Sequence, residues 1–310
     1  MTTLSPAPVI VDLQGGLGNQ LFQYAAGRAL AAAYDAPLGL AHRLLDRDRK
    51  RRYALDAYPI KALRLAADML PEPGPFRRVV TRLGVPSRWQ TPLGLIDLRH
   101  VPRFDEDETQ GAWDRRVVAC RPPVILRGYF QAPRYFDAIT EVLRRELIPT
   151  RARSESARRV AEAIQAAGPG SVSLHLRRGD YVSDPTVRAK HGVLGPAYYR
   201  RAMERVRGTV PDPHWFVFTD DPAAAQAVLP TEAQLTVVSG HGLTEVEELD
   251  LMRTCRHHVI ANSSFSWWGA WLGMPEGITI APRRWFADGS PAGIRDRFPD
   301  HWELIDEGPG

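Results

Sequence analysis

The chain has 310 residues, 44% hydrophobic and 25% charged, enough apolar material for one large or two medium folded domains, and this excludes a disordered or fibrous protein. No apolar run approaches the roughly 18 residues of a membrane span, and Met1–Pro8 lacks the basic-then-apolar layout of a signal peptide, so a cytoplasmic location is expected. The net charge of +4 divides unevenly: residues 1–150 hold 22 basic and 16 acidic side chains, and residues 151–310 hold 18 and 20. Only Lys50, Lys61 and Lys190 among the 40 basic residues are lysines, an arginine skew that points to a GC-rich bacterial genome. Cys120 and Cys255 are too few for a disulfide framework or a cysteine zinc site.

The first predicted element is the apolar strand Val9–Leu13. It feeds the turn Gly15-Gly16-Leu17-Gly18-Asn19-Gln20 and a helix over Gln20–Tyr34. A strand, a glycine turn and a helix invite a nicotinamide reading. Two residues oppose it: Leu21 stands where a third glycine belongs, and Asp35 precedes the next apolar stretch, Pro37–Ala41, instead of ending it. The basic run His42–Arg52 follows, and with Arg77–Arg78 it is expected to be a solvated face. It lacks the interleaved base-stacking aromatics of a nucleic-acid binder.

Residues 70–123 are rich in Pro and Arg without a clear period. Asp46-Arg47-Asp48 and Asp105-Glu106-Asp107 match the Asp-x-Asp form that holds a nucleotide-bound metal, but neither follows a convincing strand and both are expected to be surface charge. A strand at Val124–Arg127 and a helix over Pro133–Leu147 come next, and Pro149 then breaks the chain. The expected architecture is α/β, with Rossmann-like domains at 1–150 and 151–310 facing a cleft and the C-terminal tail able to cross back.

The second half alternates strands at Val172–Arg177, Trp215–Thr219, Leu235–Val238, His258–Ala261 and Ile278–Ala281 with helices. The helices fall at Pro196–Arg207, Pro222–Val228, Thr244–Thr254 and Ser263–Leu272. This alternation predicts a parallel, doubly wound sheet. Three strand ends carry chemistry. In the first, Ser173, His175 and Arg177 share a face and lead into Arg178-Gly179-Asp180, and two arginines beside a glycine suit a diphosphate. A buried Arg–Asp pair with a structural histidine is the alternative.

The second strand ends in Thr219-Asp220-Asp221-Pro222, where one carboxylate suits the ring N–H and amino group of guanine and Asp221 also suits helix capping. The third runs into Asn262-Ser263-Ser264-Phe265-Ser266, hydroxyls and N–H groups at a helix start. Trp267 and Trp271, four apart on that helix, are expected in the core. His257 and His258 point to opposite faces of a strand and cannot chelate one metal.

Seven segments in order carry a family resemblance: GGLGNQLFQYA from Gly15, GYFQAPRYF from Gly128, HLRRGDY from His175, AYYRRAM from Ala197, FTDD from Phe218, LMRTCRHHVIANSSFSWWGAWL from Leu251 and APRRWF from Ala281. On these the chain resembles the bacterial alpha-1,2-fucosyltransferases of glycosyltransferase family 11. The resemblance implies two Rossmann-like domains, the second binding GDP-fucose and the first helping to bind a galactose-containing glycan, without a metal or other cofactor.

Carried over by position, Arg177 is the essential arginine on the diphosphate, supported by His175 and Arg178. Asp220 or Asp221 holds guanine, and Asn262, Ser263, Ser264, Phe265 and Ser266 line the phosphate side. Asn19 reaches the reacting centre from the first glycine turn, with Gly16 and Gly18 letting substrate approach. Asp180 is counted among the catalytic residues with Arg177 and Asn19, and the general base that should assist is open between Asp12, Asp180, Glu245 and Asp250. A fucose linkage other than alpha-1,2 is the nearest alternative activity. A nicotinamide oxidoreductase and a nucleic-acid binder stand further off. The expected partners exclude nucleic acid and any transmembrane segment but leave room for peripheral membrane contact.

Overall fold

The structure is a computed structural model that describes residues 7–48, 50–66, 98, 100–106, 112–178, 185–229, 234–289 and 294–307. The chain divides into two units, Met1–Leu147 and Ile148–Gly310.

The first unit holds a parallel sheet of β1 (Val9–Asp12), β2 (Leu38–Ala41), β3 (Leu63–Leu65), β4 (Arg103–Asp105) and β5 (Val124–Arg127), in the order β3-β2-β1-β5-β4. Val9, Ile10 and Val11 are fully buried, as a central strand of a doubly covered sheet requires. The helix Leu17–Ala33 returns over β1 so closely that a Cβ on Gly27 would lie 2.3 Å from Val11 Cγ2. It begins at Leu17, earlier than the expected Gln20, so Gly18 and Asn19 belong to its first turn.

The single helix expected over 133–147 is replaced by two tight turns, Pro133–Tyr135 and Asp137–Ile139, before the helix Thr140–Glu146. Adjacent Tyr135 and Phe136 are both buried, packing on Phe130 and Phe22 respectively, and this overrides the helical period. Arg77–Arg78 lie outside the described residues.

The second unit carries β6 (Ser171–Leu176), β7 (His214–Thr219), β8 (Leu235–Val237), β9 (His257–Val259), β10 (Thr279–Pro282) and β11 (Glu303–Ile305), all parallel, in the order β11-β10-β9-β6-β7-β8. Helices cover both faces. Tyr198, Tyr199, Ala202, Met203 and Val206 of the helix Pro196–Arg207 pack on Val172, Leu174 and Leu176. On the opposite face the helices Glu155–Ala167 and Glu245–Thr254 pack on Phe216 and Phe218.

The starts of these last two helices are tied together. Ser154 caps the first, Thr244 and Glu247 form a capping box on the second, and the Ser154 N–H donates to Glu247 Oε1 at 2.8 Å. These backbone donors hold the Glu247 carboxyl down at about 2.

The sixth strand corrects the expected count of five. The strand nearest the C-terminus, β11, pairs with β10 within the second unit and is pinned there by ion pairs. These run from Glu303 to Arg205, from Asp306 to Arg283 and from Glu307 to Arg284. The tryptophans expected in the core, Trp267 and Trp271, are there; Trp302 packs with Trp267, whose Nε1 donates to the Arg297 carbonyl at 2.9 Å.

Candidate active site

In the second sheet the strand order reverses once. The reversal falls between β6 and β9 in the second unit, and ligands of open parallel sheets bind outside the carboxyl ends of the strands at such a point. All six residues of β6 are buried, so the polar face expected there is enclosed. Ser173 Oγ and His258 Nδ1 lie 2.8 Å apart beneath the site. His175 is 5% exposed and packs on Phe265, and its Nδ1 has no partner among the described residues. Burial pushes its pKa down to about 3; the neighbouring Arg177 charge adds to this and Asp220 opposes it. The ring is therefore neutral at pH 7.

Arg177 leaves the end of β6 and sets Nη1 2.7 Å from Asp220 Oδ2, both side chains about a quarter exposed. The other carboxylate oxygen of Asp220 accepts the Arg178 backbone N–H at 2.7 Å. One acid at the end of β7 thus fixes both arginines of the motif, one by its side chain and one by its main chain. An Arg–Asp pair does exist here, but with Asp220 and at the half-open mouth of the sheet. Asp220 is in turn placed by Thr219, whose N–H donates to Ser239 Oγ at 2.9 Å. The Ser239 hydroxyl donates to the Glu248 carboxyl, which burial, with Asp220 and Glu245 nearby, raises above its ordinary pKa. Asp221 opens the helix Pro222–Val228: its N–H donates to Thr219 Oγ1 at 3.0 Å and its carbonyl accepts from Ala225. Asp180 lies outside the described residues.

The third strand end divides the five residues expected to line phosphate. Asn262 is 2% exposed, and its Nδ2 donates to the His191 and Trp285 carbonyls at 2.8 and 3.1 Å. Ser263 caps the helix Ser264–Trp271, its Oγ accepting the Phe265 N–H. Ser266 is fully buried and donates to main-chain carbonyls of its own turn. Asn262, Ser263 and Ser266 therefore shape the loop, while Ser264 and Phe265 are half-buried at its surface.

In the first unit the glycine turn follows β1. Gly15 takes φ +79, and a Cβ there would come within 2.5 Å of Asn19 Nδ2; Gly16 caps the helix and faces Arg51, whose Nη1 would lie 3.4 Å from a Cβ. Asn19 Oδ1 accepts from Gln131 Nε2 at 2.7 Å. Gln20 donates to the carbonyls of Gly15 and Arg52 at 3.0 and 2.7 Å and accepts the Ala54 N–H, fastening the loop that carries Arg51 to the turn.

Two alternatives for the base are corrected. Asp12 is fully buried and paired with Arg43 at 2.9 Å, and Asp250 is held by Arg153 and Arg253 at 2.8 and 2.7 Å. Arg43 is likewise an exception to the expected solvated face. Glu106 is another: it follows β4 directly, and its Oε2 accepts the Tyr129 and Phe130 N–H groups at 2.6 and 2.9 Å. His257 and His258 do separate as expected, His257 Nε2 donating to the Pro169 carbonyl at 3.0 Å. An open groove of about 780 Å³ lined by Arg153, Arg158, Glu162 and Arg256 lies at the opposite, amino end of β6, away from these groups. Ser239 and Glu248 carried no motif, and Gln131 lay in the segment GYFQAPRYF without a role of its own; only their placement in the fold reveals them.

The profile described as Glycosyl transferase family 11 matches residues 108–306. The chain is 29% identical over 297 residues to the O-antigen biosynthesis glycosyltransferase WbnK of Escherichia coli, covering 89% of this chain and 94% of that one. It is also 29% identical over 313 residues to an alpha-1,2-colitosyltransferase of Escherichia coli, covering 96% and 99%. Among solved structures, fucosyltransferase NodZ from Bradyrhizobium shares the fold, with a TM-score of 0.51 at 16% identity over 89% of this chain and 96% of that chain.

Proposed function

Since the chain belongs to glycosyl transferase family 11, we propose that it moves L-fucose from GDP-fucose to O2 of a terminal galactose in a glycan, with inversion. The observation that carries this is the Arg177–Asp220–Arg178 arrangement at the reversal point of the second sheet. One edge of the Arg177 guanidinium is oriented by Asp220, and a planar fork held in this way suits phosphate oxygens. As the bond from fucose C1 to the diphosphate breaks, its electron pair leaves with GDP, and growing negative charge meets Arg177, Arg178 and the start of the helix at Ser264 and Phe265. The acceptor oxygen bonds to C1 from the opposite side and its proton passes to a general base, which we assign to Asp180.

Asp220 already engages both oxygens on the arginine motif, which favours Asp221 for guanine. The arginines supply the charge that a divalent ion would otherwise bring, so no metal is required. Asn19, with Gly16 and Gly18, is assigned to the acceptor side, and donor binding to the second unit, residues 151–310. Among the described residues no helix is long and apolar enough to cross a membrane; a cytoplasmic enzyme with at most peripheral membrane contact and no nucleic-acid partner is part of the proposal. The alpha-1,2-colitosyltransferase similarity supports the linkage and favours colitose as a second reading of the donor sugar.

The test is incubation with GDP-fucose and a panel of galactosides, with product linkage determined and excess chelator in a parallel arm. An alpha-1,2 product formed at the same rate in chelator is expected. A different linkage overturns the acceptor assignment, and activity lost in chelator but restored by manganese overturns the metal-free reading. Stabilisation by NADH in place of GDP would overturn the donor itself.

A further inference from the structure

The segment Ala197–Met203, AYYRRAM, lies on the helix Pro196–Arg207, away from the proposed contacts with donor or acceptor. Its two tyrosines occupy successive positions, about 100° apart around the helix, and both turn inward. Tyr198 is 0% and Tyr199 1% exposed, and their rings meet edge to face at 5.1 Å. A purely apolar pair would fill the same space, so two buried phenolic hydroxyls need partners.

The partners lie on different strand ends. Tyr198 donates its hydroxyl to the Ile260 carbonyl at 2.7 Å, just beyond β9 and two residues before Asn262. The Tyr199 hydroxyl accepts the backbone N–H of Arg177, just beyond β6. Tyr199 also lies within the field of Arg178, Asp220 and Glu307. The helix start is anchored separately: the Gly195 N–H donates to Glu307 Oε1 at 2.7 Å, and Arg284 holds the other oxygen of Glu307 at 2.6 Å. Burial keeps both phenols protonated, so neither hydroxyl serves as an acid or base.

We infer that Tyr198 and Tyr199 are positioning residues: one helix turn grips the carboxyl ends of β6 and β9 together and sets the spacing between the Arg177 guanidinium and the Asn262–Ser266 loop. The diphosphate is to be met from both sides, and a brace across that gap fixes where its oxygens sit. The inference rests on the proposed role of Arg177. Its structural content, a tyrosine-held Arg177 amide, is separately measurable.

The experiment compares Tyr199→Phe and Tyr198→Phe with the wild type. Each keeps the ring and its packing and removes one hydroxyl. Thermal unfolding, hydrogen exchange at the Arg177 amide, and kcat and KM for GDP-fucose are measured on all three. Tyr199→Phe is expected to speed Arg177 amide exchange and lower kcat at least ~10-fold, with KM changed less than about threefold, because a displaced guanidinium fails mainly in the transition state. Tyr198→Phe is expected to leave Arg177 exchange unchanged and lower kcat by about threefold. Wild-type exchange and kcat in Tyr199→Phe overturn the inference, as does a kcat loss that merely follows the folded fraction. A wild type that transfers no fucose overturns the donor reading, while exchange at Arg177 still decides the brace.

Discussion

The two sheets share a plan and differ in the chemistry they present. Each has a central strand where the order reverses, a loop at its carboxyl end and a helix starting beyond it. At β6 the groups are ionic: Arg177, Arg178 and Asp220. At β1 the only charged side chain in the strand, Asp12, is neutralised by buried Arg43, and the groups around the turn are largely amides: Asn19, Gln20, Gln23 and Gln131. Amides both donate and accept, which suits sugar hydroxyls, whereas fixed guanidiniums suit phosphate. One frame therefore presents two kinds of polar group, through the residues at a single strand end.

The largest effect is expected where that neutralisation is removed. Arg43→Ala leaves the fully buried Asp12 without its cation and should destabilise the protein by about 3–5 kcal/mol, read as a shifted denaturant midpoint. A change below ~1 kcal/mol would show that the pair is dispensable. On the ionic side, Arg177→Lys should fold normally yet lose at least ~100-fold in kcat, because lysine keeps the charge without the fork. Arg178→Lys should be milder, since it is the Arg178 main chain that Asp220 holds. Near-normal kcat in Arg177→Lys beside a severe loss in Arg178→Lys would reverse the two roles.

The buried histidines separate the units by pH. In the folded chain His175 and His258 are both pushed down to about 3, by burial first, from an ordinary 6.5. Below pH 6.5 the unfolded chain takes up protons at these rings and the folded chain does not. Stability is thus complete above about pH 6.5 and falls as pH drops toward 3, by about 1.4 kcal/mol per unit for each ring. Denaturation at pH 5 and pH 7.5 measures this, and His258→Asn should flatten the slope; an unchanged slope would mean that the ring is not buried neutral. The smallest effect is at the amide turn. Asn19→Asp keeps an oxygen for Gln131 but replaces the donating Nδ2 with an acceptor, and should raise acceptor KM by about tenfold with donor KM unchanged. A rise in donor KM instead would break the division of labour between the units.

Much of this was legible in the sequence because its signals are local. The alternation along β6, the helix Pro196–Arg207 with proline at its first position, and the three strand ends follow from period and punctuation. The three-residue strands β3, β4 and β11 were not, since so short a run exposes no period and, unlike the equally short β8 and β9, they fall outside the regular alternation of strands and helices. Hydroxyls at a helix start look alike whether they face a ligand or their own backbone, so Asn262, Ser263 and Ser266 became loop-formers only in three dimensions. The Asn19–Gln131 bond spans 112 positions and the Arg43–Asp12 pair 31; such partners are chosen by the fold.

The tryptophan cluster makes the second unit spectroscopically distinct. Trp215, Trp267, Trp268, Trp271, Trp285 and Trp302 are all at most 8% exposed, and Trp267 lies within 6.0 Å of three other indoles. Emission from these rings is blue-shifted while they are shielded from water, and their close stacking couples their excited states into a strong near-ultraviolet dichroic signal. Intrinsic fluorescence thus reports chiefly on the second unit, whereas the packing of Trp113 against the Arg134 guanidinium at 3.9 Å supplies a separate optical probe in the first.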